Sequence, residues 1–317
     1  MNKYKLINNI TGWIVFAVAA VVYLLTIEPT ASFWDCGEFI TSAYKLEVGH
    51  PPGAPFFMLV GNLFTQFAGD PSRVALMINS MSALMSAFTI LFLFWTITHL
   101  TRKLLLSSGS ALLSKGQIVA VIGSGLVGSL VYTFSDTFWF SAVEGEVYAF
   151  SSMLTALVFW LILKWEDNAD KPHSDKWLVL IAYIMGLSVG VHLLNLLCIP
   201  AIVLVYYYRK TETPTWKGGL LSLLLSFGLI IILMWGIIPG FTKVGGWFEL
   251  FFVNSLGMSY NSGLIAYLII MVATIVWGLV ESSSERRSDK RAHLALFITL
   301  GLTGILFIGA RSGYGLS

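Results

Sequence analysis

The chain has 317 residues, 56% of them hydrophobic and only 11% charged, with a formal net charge of +2. So little charge cannot cover the surface of a water-soluble protein of this length, and the composition implies an integral membrane protein. The balance gives no reason to expect nucleic acid as a partner, and two cysteines, Cys36 and Cys198, cannot build a disulfide framework and are read as unpaired.

Apolar runs near 20 residues predict helices, because barrel strands would alternate over about 10. In chain order, spans are expected near 9–27, 74–100, 117–134, 142–164, 177–192, 193–208, 218–239, 262–280 and 293–310, an all-α membrane fold of about nine transmembrane helices. The first run follows Lys3 and Lys5 and lacks an A-x-A cleavage site, so it is read as a retained signal-anchor span. Residues 177–208 form one apolar block of 32 residues between Lys176 and Arg209. A single helix of that length would reach about 48 Å, too long for a hydrocarbon core of about 30 Å. Two short spans turning near His192 fit instead, and they return Lys176 and Arg209 to one side. With the N-terminus inside, 15 of the 19 Lys and Arg residues then lie in inner segments, leaving Lys45, Arg73, Lys243 and Arg311 outside. That bias sets the orientation by the positive-inside rule. No internal repeat is visible, and 166–176 and 281–291 read as solvated connectors.

The acids tell more. Glu28, Asp35, Glu38, Glu47, Asp70, Asp136, Glu144, Glu146 and Glu249 fall outside or at outer span ends, as do His50 and His192. The first outer segment, 28–73, contains WDCGEFITSAYKLEVGHPPGAP (34–55). Phe39, Ile40, Ala43 and Leu46 follow a helical spacing and FFMLVGNLF (56–64) is a second short apolar run, so both read as helices lying at the interface. Asp35 with Glu38 three residues on fits a capping box as well as it fits an acidic catalytic pair. His50-Pro51-Pro52 fits a stiff connector, with Pro55 as a helix start.

Further along, Glu144 and Glu146 fall at the start of the fourth span, with Tyr148 four residues after Glu144 and hence on the same helical face. The helix dipole alone would favour one acid there. His192 and Asn195 sit at the tip of the 177–208 hairpin, costly in lipid unless they line a wet cavity, whereas Gly186 and Gly190 suit helix packing. Carboxylates can take a proton from an alcohol when burial lifts the pKa of the base, and Arg or His can steady an anionic leaving group. No zinc spacing, GxSxG or P-loop is present, so the residues assign no metal site and no cofactor and leave a divalent-metal requirement open. An activated group reaching the outer face is expected to be carried on a lipid.

The acidic pair after the first span, the long outer loop and the H-P-P motif resemble the GT-C clan of membrane glycosyltransferases. WDCGEFITSAYKLEVGHPPGAPFF, FSDTFWFSAVEGEVYAF and MGLSVGVHLLNLL are similar to the Bacteroidota relatives of the transmembrane protein O-mannosyltransferases, over roughly residues 10–210. The resemblance implies inverting transfer of a sugar, typically mannose, from a polyprenyl-phosphate donor to a Ser or Thr hydroxyl of an exported protein. It implies Asp35 as catalytic base, Glu38 as its support, and His50 as a residue shaping the loop. Glu144, Glu146, Tyr148, His192 and Asn195 become expected pocket residues, and charge suggests Arg73 or Arg311 for the phosphate. The implied setting is a multi-pass protein of the bacterial inner membrane with its site facing the periplasm, the partners being lipid, lipid-linked sugar and acceptor protein. Because such proteins continue beyond the membrane region, residues 1–317 are expected to be one transmembrane domain of a longer protein.

Two other classes fit parts of the pattern. Secondary transporters or lipid flippases place ionisable groups near the midplane on broken helices, often in an inverted repeat, whereas these acids gather at outer ends. A non-catalytic scaffold that binds a lipid-linked sugar would share the fold.

Overall fold

The computed structural model describes residues 3–50, 53–106, 113–171, 174 and 176–282, and among them only helices and connecting turns occur. Among the described residues, six stretches are long and apolar enough to cross a membrane: Lys3–Leu25, Pro71–Leu106, Lys115–Thr133, Val147–Asn168, Leu193–Lys210 and Trp216–Ser255. The chain is thus a multi-pass membrane protein by length and composition. Three shorter apolar helices, Pro55–Thr65, Lys176–Val189 and Ser262–Trp277, take places where an interfacial helix and two spans were expected. The ninth expected span, 293–310, lies outside the described residues.

The chain forms two compact units: residues 1–49 with 57–163, and residues 50–56 with 164–317. In the first, α1 (Lys3–Leu25) packs along α4 (Val74–Leu106), and α5 (Lys115–Thr133) packs on both. Lipid offers no hydrophobic drive for this, so close backbone approach must supply it. Small residues provide the approach: Ala19 and Ala20 of α1 and Ala83 and Ala87 of α4 are buried together with Ile90 and Phe94. A Cβ on Gly125 of α5 would lie 2.8 Å from the Phe94 ring, so only glycine fits that crossing. Tyr23 closes the bundle end, its buried hydroxyl donating to the Thr133 carbonyl at 2.9 Å. The start of α5 is fixed by a complete capping box, Ser114 with Gln117.

Between the spans, α2 (Cys36–Lys45) and α3 (Pro55–Thr65) are the two expected short helices, and Pro55 does start the second. The stretch left between the expected spans 117–134 and 142–164, before α7 (Val147–Asn168), holds a further helix, α6 (Asp136–Ala142), whose Phe138 and Ala142 enter the α1–α4 core. Seven residues are too few to show a helical period, and this tertiary burial selects the conformation.

In the second unit, α8 (Lys176–Val189) ends before His192, a 3-10 turn covers Leu193–Cys198, and α9 (Ile199–Lys210) follows. The break falls where the hairpin was expected. At the far end of α9, Arg209 donates to the Glu166 carbonyl and pairs with Asp170, while Lys210 donates to the Ala169 carbonyl, so α9 returns to the loop preceding α8. Gly190 accepts from Phe56 N at 2.9 Å, and a Cβ there would lie 3.0 Å from Phe56 Cβ, a packing role as expected.

The span expected at 218–239 is only part of a longer helical run. Helix α10 (Trp216–Ile231) passes through a π-helical turn, Ile232–Ile237, into α11 (Ile238–Leu250) and a second π turn, Phe251–Ser255. Pro239 has no N–H to offer the carbonyl four residues back, and the π turn re-registers the ladder around it. Glu249, expected among the outer acids, caps α12 (Ser262–Ser282), accepting from Asn261 N at 2.6 Å and Leu264 N at 2.9 Å.

Candidate functional site

The first unit gathers four of the expected acids around the start of α2. Asp35 occupies the N-cap position but has αR backbone, φ −84° and ψ −2°, and makes no side-chain cap bond. An N-cap needs extended backbone to swing its oxygen onto the next turn, so this geometry keeps the carboxylate off that duty. The capping-box reading of Asp35 and Glu38 is therefore not realised. Instead a carboxylate oxygen of exposed Asp35 lies within 4.8 Å of one from Glu38. Trp34, immediately before, is held at φ 61° with 92% of its surface exposed. A bulky residue in the left-handed region is a strained position, and such strain clusters at functional segments.

Local sequence explains how α2 is held. Leu46 adopts φ 51° as its C-cap, and Glu47 N bonds to the Ser42 carbonyl at 2.9 Å, turning the chain back along the helix. Gly49 thereby reaches Glu38, where a Cβ would lie 2.9 Å from Glu38 Oε1. Asn62 of α3 donates to the Ala43 and Tyr44 carbonyls, both at 3.0 Å, satisfying carbonyls that α2 leaves open.

Behind α2 stand Glu144 and Glu146, 7% and 6% exposed, in a turn just before α7. Since α7 begins at Val147, Glu144 and exposed Tyr148 do not share a helical face as the spacing predicts; Glu144 is buried in non-helical backbone. Glu146 accepts from Val147 N at 3.2 Å, so the helix-terminus role applies to it. Glu144 accepts from the thiol of Cys36, and burial, with the Glu144 and Glu146 carboxylates beside it, pushes that thiol from 9.0 up to about 12. The turn is joined to the first outer segment, for Glu28 N donates to the Val143 carbonyl at 3.1 Å.

The remaining expected residues belong to other segments or lie outside what the structure describes. Arg73 is the exposed last residue of a 3-10 turn, Pro71–Arg73, capped by Asp70. His50 opens the second unit's 50–56 segment, its carbonyl accepting from Gly53 N at 2.8 Å. Pro51, Pro52 and Arg311 lie outside the described residues. Also in the second unit, His192 caps the 3-10 turn, Nδ1 accepting from Leu194 N at 3.2 Å, and Asn195 is buried. Neither cysteine forms a disulfide, and both are buried.

Three residues near the acids escaped the sequence reading. Cys36 was counted only as an unpaired thiol, although it stands next to Asp35. Asn79 is a fully buried amide in the first turns of α4, and a lone Asn inside an apolar run was the available signal. Gly145, between the two glutamates, gave no signal of its own.

Residues 35–215, 181 of the 317, match the family described as protein O-mannosyl-transferase TMEM260 N-terminal domain. The match opens at Asp35 and contains Glu38, Glu144, Glu146, His192 and Asn195. Among curated proteins, protein O-mannosyl-transferase TMEM260 of Mus musculus is 29% identical over 219 residues, covering 68% of this chain and 28% of the relative. The Dictyostelium discoideum protein of the same name is 24% identical over 228 residues, covering 68% and 26%. The chain thus spans about a quarter of the length of these relatives. No solved structure matches it. On a match over more than half of its length, the chain belongs to the protein O-mannosyl-transferase TMEM260 N-terminal domain family.

Proposed function

We propose that this chain is the membrane part of a glycosyltransferase that moves mannose from a polyprenyl-phosphate carrier to a Ser or Thr hydroxyl of an exported protein. The fold is taken as GT-C type with nine spans, the N-terminus in the cytoplasm of a bacterium and the site at the outer face. Relatives named protein O-mannosyl-transferases support the reaction class. The observation that carries the assignment of roles is the Asp35 carboxylate, which stands beside Glu38 at a helix start without capping it.

In this mechanism the acceptor hydroxyl attacks the anomeric carbon from the face opposite the phosphate. The new C–O bond forms as the bond to the phosphate oxygen breaks, which inverts the centre, and polyprenyl phosphate leaves as an anion. Asp35 takes the hydroxyl proton, while Glu38 orients the acceptor. Arg73, a cation at the end of the same outer segment, steadies the phosphate.

A second assignment has its own observation. Glu144 is buried where Asp35 is exposed, so of the two carboxylates it is the one shielded from water beside the acid cluster. Full-length protein in proteoliposomes, offered polyprenyl-phosphate mannose and an acceptor peptide, should transfer mannose with inverted linkage. Movement of the lipid-linked sugar across the bilayer without transfer would replace this reading with a flippase. Loss of transfer in Glu144→Gln with retention in Asp35→Asn would move the base to Glu144.

A further inference from the structure

We propose that Asn79 is a positioning residue of the transfer site, its buried amide locking the Glu144–Gly145–Glu146 turn to the first outer segment behind α2. The proposal deepens the reading above and rests on it for the reaction, though the lock itself does not.

Asn79 is 0% exposed. Its Nδ2 donates to the Glu28 carbonyl at 2.6 Å and to the Thr30 carbonyl at 2.9 Å. Two carbonyls on one nitrogen fix the amide's orientation, since the flipped form would set its oxygen against both. The other end, Oδ1, is buried without a hydrogen-bond partner and abuts Gly145, where a Cβ would lie 2.8 Å from it. That same Cβ would come within 3.1 Å of Ile40 of α2 and 3.2 Å of Ile78 of α4. Position 145 is therefore closed on by two helices and the amide at once. Through Glu28 N on the Val143 carbonyl, the contact becomes a ring joining residues 28–30, 79 and 143–145.

An apolar side chain would fill this space without leaving an acceptor unpaired, and other polar side chains of α4, such as Ser80 and Thr89, bond to their own helix's carbonyls. Asn79 spends its donors on irregular backbone of a distant segment instead. Non-helical backbone at membrane depth needs such partners, and the backbone so held carries Glu144, which bonds Cys36 next to Asp35. Displacing the turn therefore displaces the acids relative to one another.

The test uses full-length protein in detergent or proteoliposomes, with two readouts: the alkylation rate of Cys36 at pH 8, followed by peptide mass spectrometry, and kcat and KM for polyprenyl-phosphate mannose. Asn79→Leu keeps the size but removes both donors without adding a charge, and Gly145→Ala pushes the turn away from the amide. Either should speed Cys36 alkylation at least about tenfold, the effect of a thiol pKa falling by one unit from its raised value. Each should also lower kcat about 10- to 100-fold with KM for the donor little changed. Ser129→Ala, a buried substitution elsewhere in the same unit, should move neither readout. If Asn79→Leu does not accumulate, Gly145→Ala reads the same contact. Unchanged Cys36 alkylation in the folded variants would overturn the lock, and faster alkylation with wild-type kcat would overturn the positioning role. Wild-type protein that transfers no sugar while Cys36 still responds would refute the transferase reading and leave the lock standing.

Discussion

Asp35→Asn and Asp35→Ala, taken together, separate a helix cap from a catalytic base. If Asp35 capped α2 through its side chain, Asn would substitute well, whereas Ala would cost about 1 kcal/mol. The structure removes that term, because the αR backbone at residue 35 leaves no cap bond to lose. The attraction of an exposed carboxylate for the N-terminus of a ten-residue helix is worth a few tenths of a kcal/mol, and both substitutions delete it equally. The two variants should therefore unfold within about 0.5 kcal/mol of each other. Activity should behave differently. An amide cannot accept a proton in the transition state, and losing a positioned base costs about 10²- to 10⁴-fold in rate. That corresponds to about 2.7–5.5 kcal/mol of barrier, several times any stability change. The assay pairs initial rates of mannose transfer in proteoliposomes with thermal unfolding in detergent. Wild-type turnover in Asp35→Asn would remove Asp35 from the chemistry. A stability gap of about 1 kcal/mol between Ala and Asn would mean that the carboxylate caps α2 after all.

Four further outcomes follow from individual contacts. Ser114→Ala removes half of the capping box at the start of α5 and should lower stability by about 1 kcal/mol in chemical denaturation, without changing transfer. Glu249→Ala strips two backbone N–H groups of their acceptor and should cost about 1–3 kcal/mol, again with transfer intact, in contrast to Glu144→Ala. The thiol of Cys36 is held above its unfolded value, so the stability it contributes is fully present below pH 9.0 and is lost as pH rises towards about 12; Cys36→Ala should flatten the fall in melting temperature over that window. For topology, Lys45→Cys should label with a membrane-impermeant reagent from outside and Glu212→Cys only from inside; outside labelling at 212 would reverse the hairpin assignment of 177–208.

Helices were legible in the sequence because the membrane imposes a long apolar signature, and an apolar run needs no knowledge of its partners to be read. The 36–45 and 55–65 helices were legible for a related reason: a helical apolar spacing in one, and Pro55 before an apolar run in the other. What failed was local backbone that only distant contacts determine. Helix α6 exists because Phe138 and Ala142 reach the α1–α4 core, and seven residues carry no period to announce it. Tyr148 parted from Glu144 because α7 starts three residues later than the spacing argument assumed. Pro239 was visible, but the π turn that carries the helix past it depends on the ladder finding a new register.

The same division runs through the candidate site. Residue types there were readable, since two acids after a first span and two more before another are rare in a chain with this little charge. Their relative placement was not, because it is fixed by Asn79 on the Glu28 and Thr30 carbonyls and by Glu28 N on the Val143 carbonyl, bonds spanning 51, 49 and 115 positions. No window of sequence contains both ends of such a bond. One trace did survive in one dimension. An amide in the first turns of an apolar span is costly unless it serves other backbone, so Asn79 marked the place where irregular chain had to be held. Within membrane spans, then, a lone polar residue identifies less a ligand than the segment it anchors, and here that segment carries the acids.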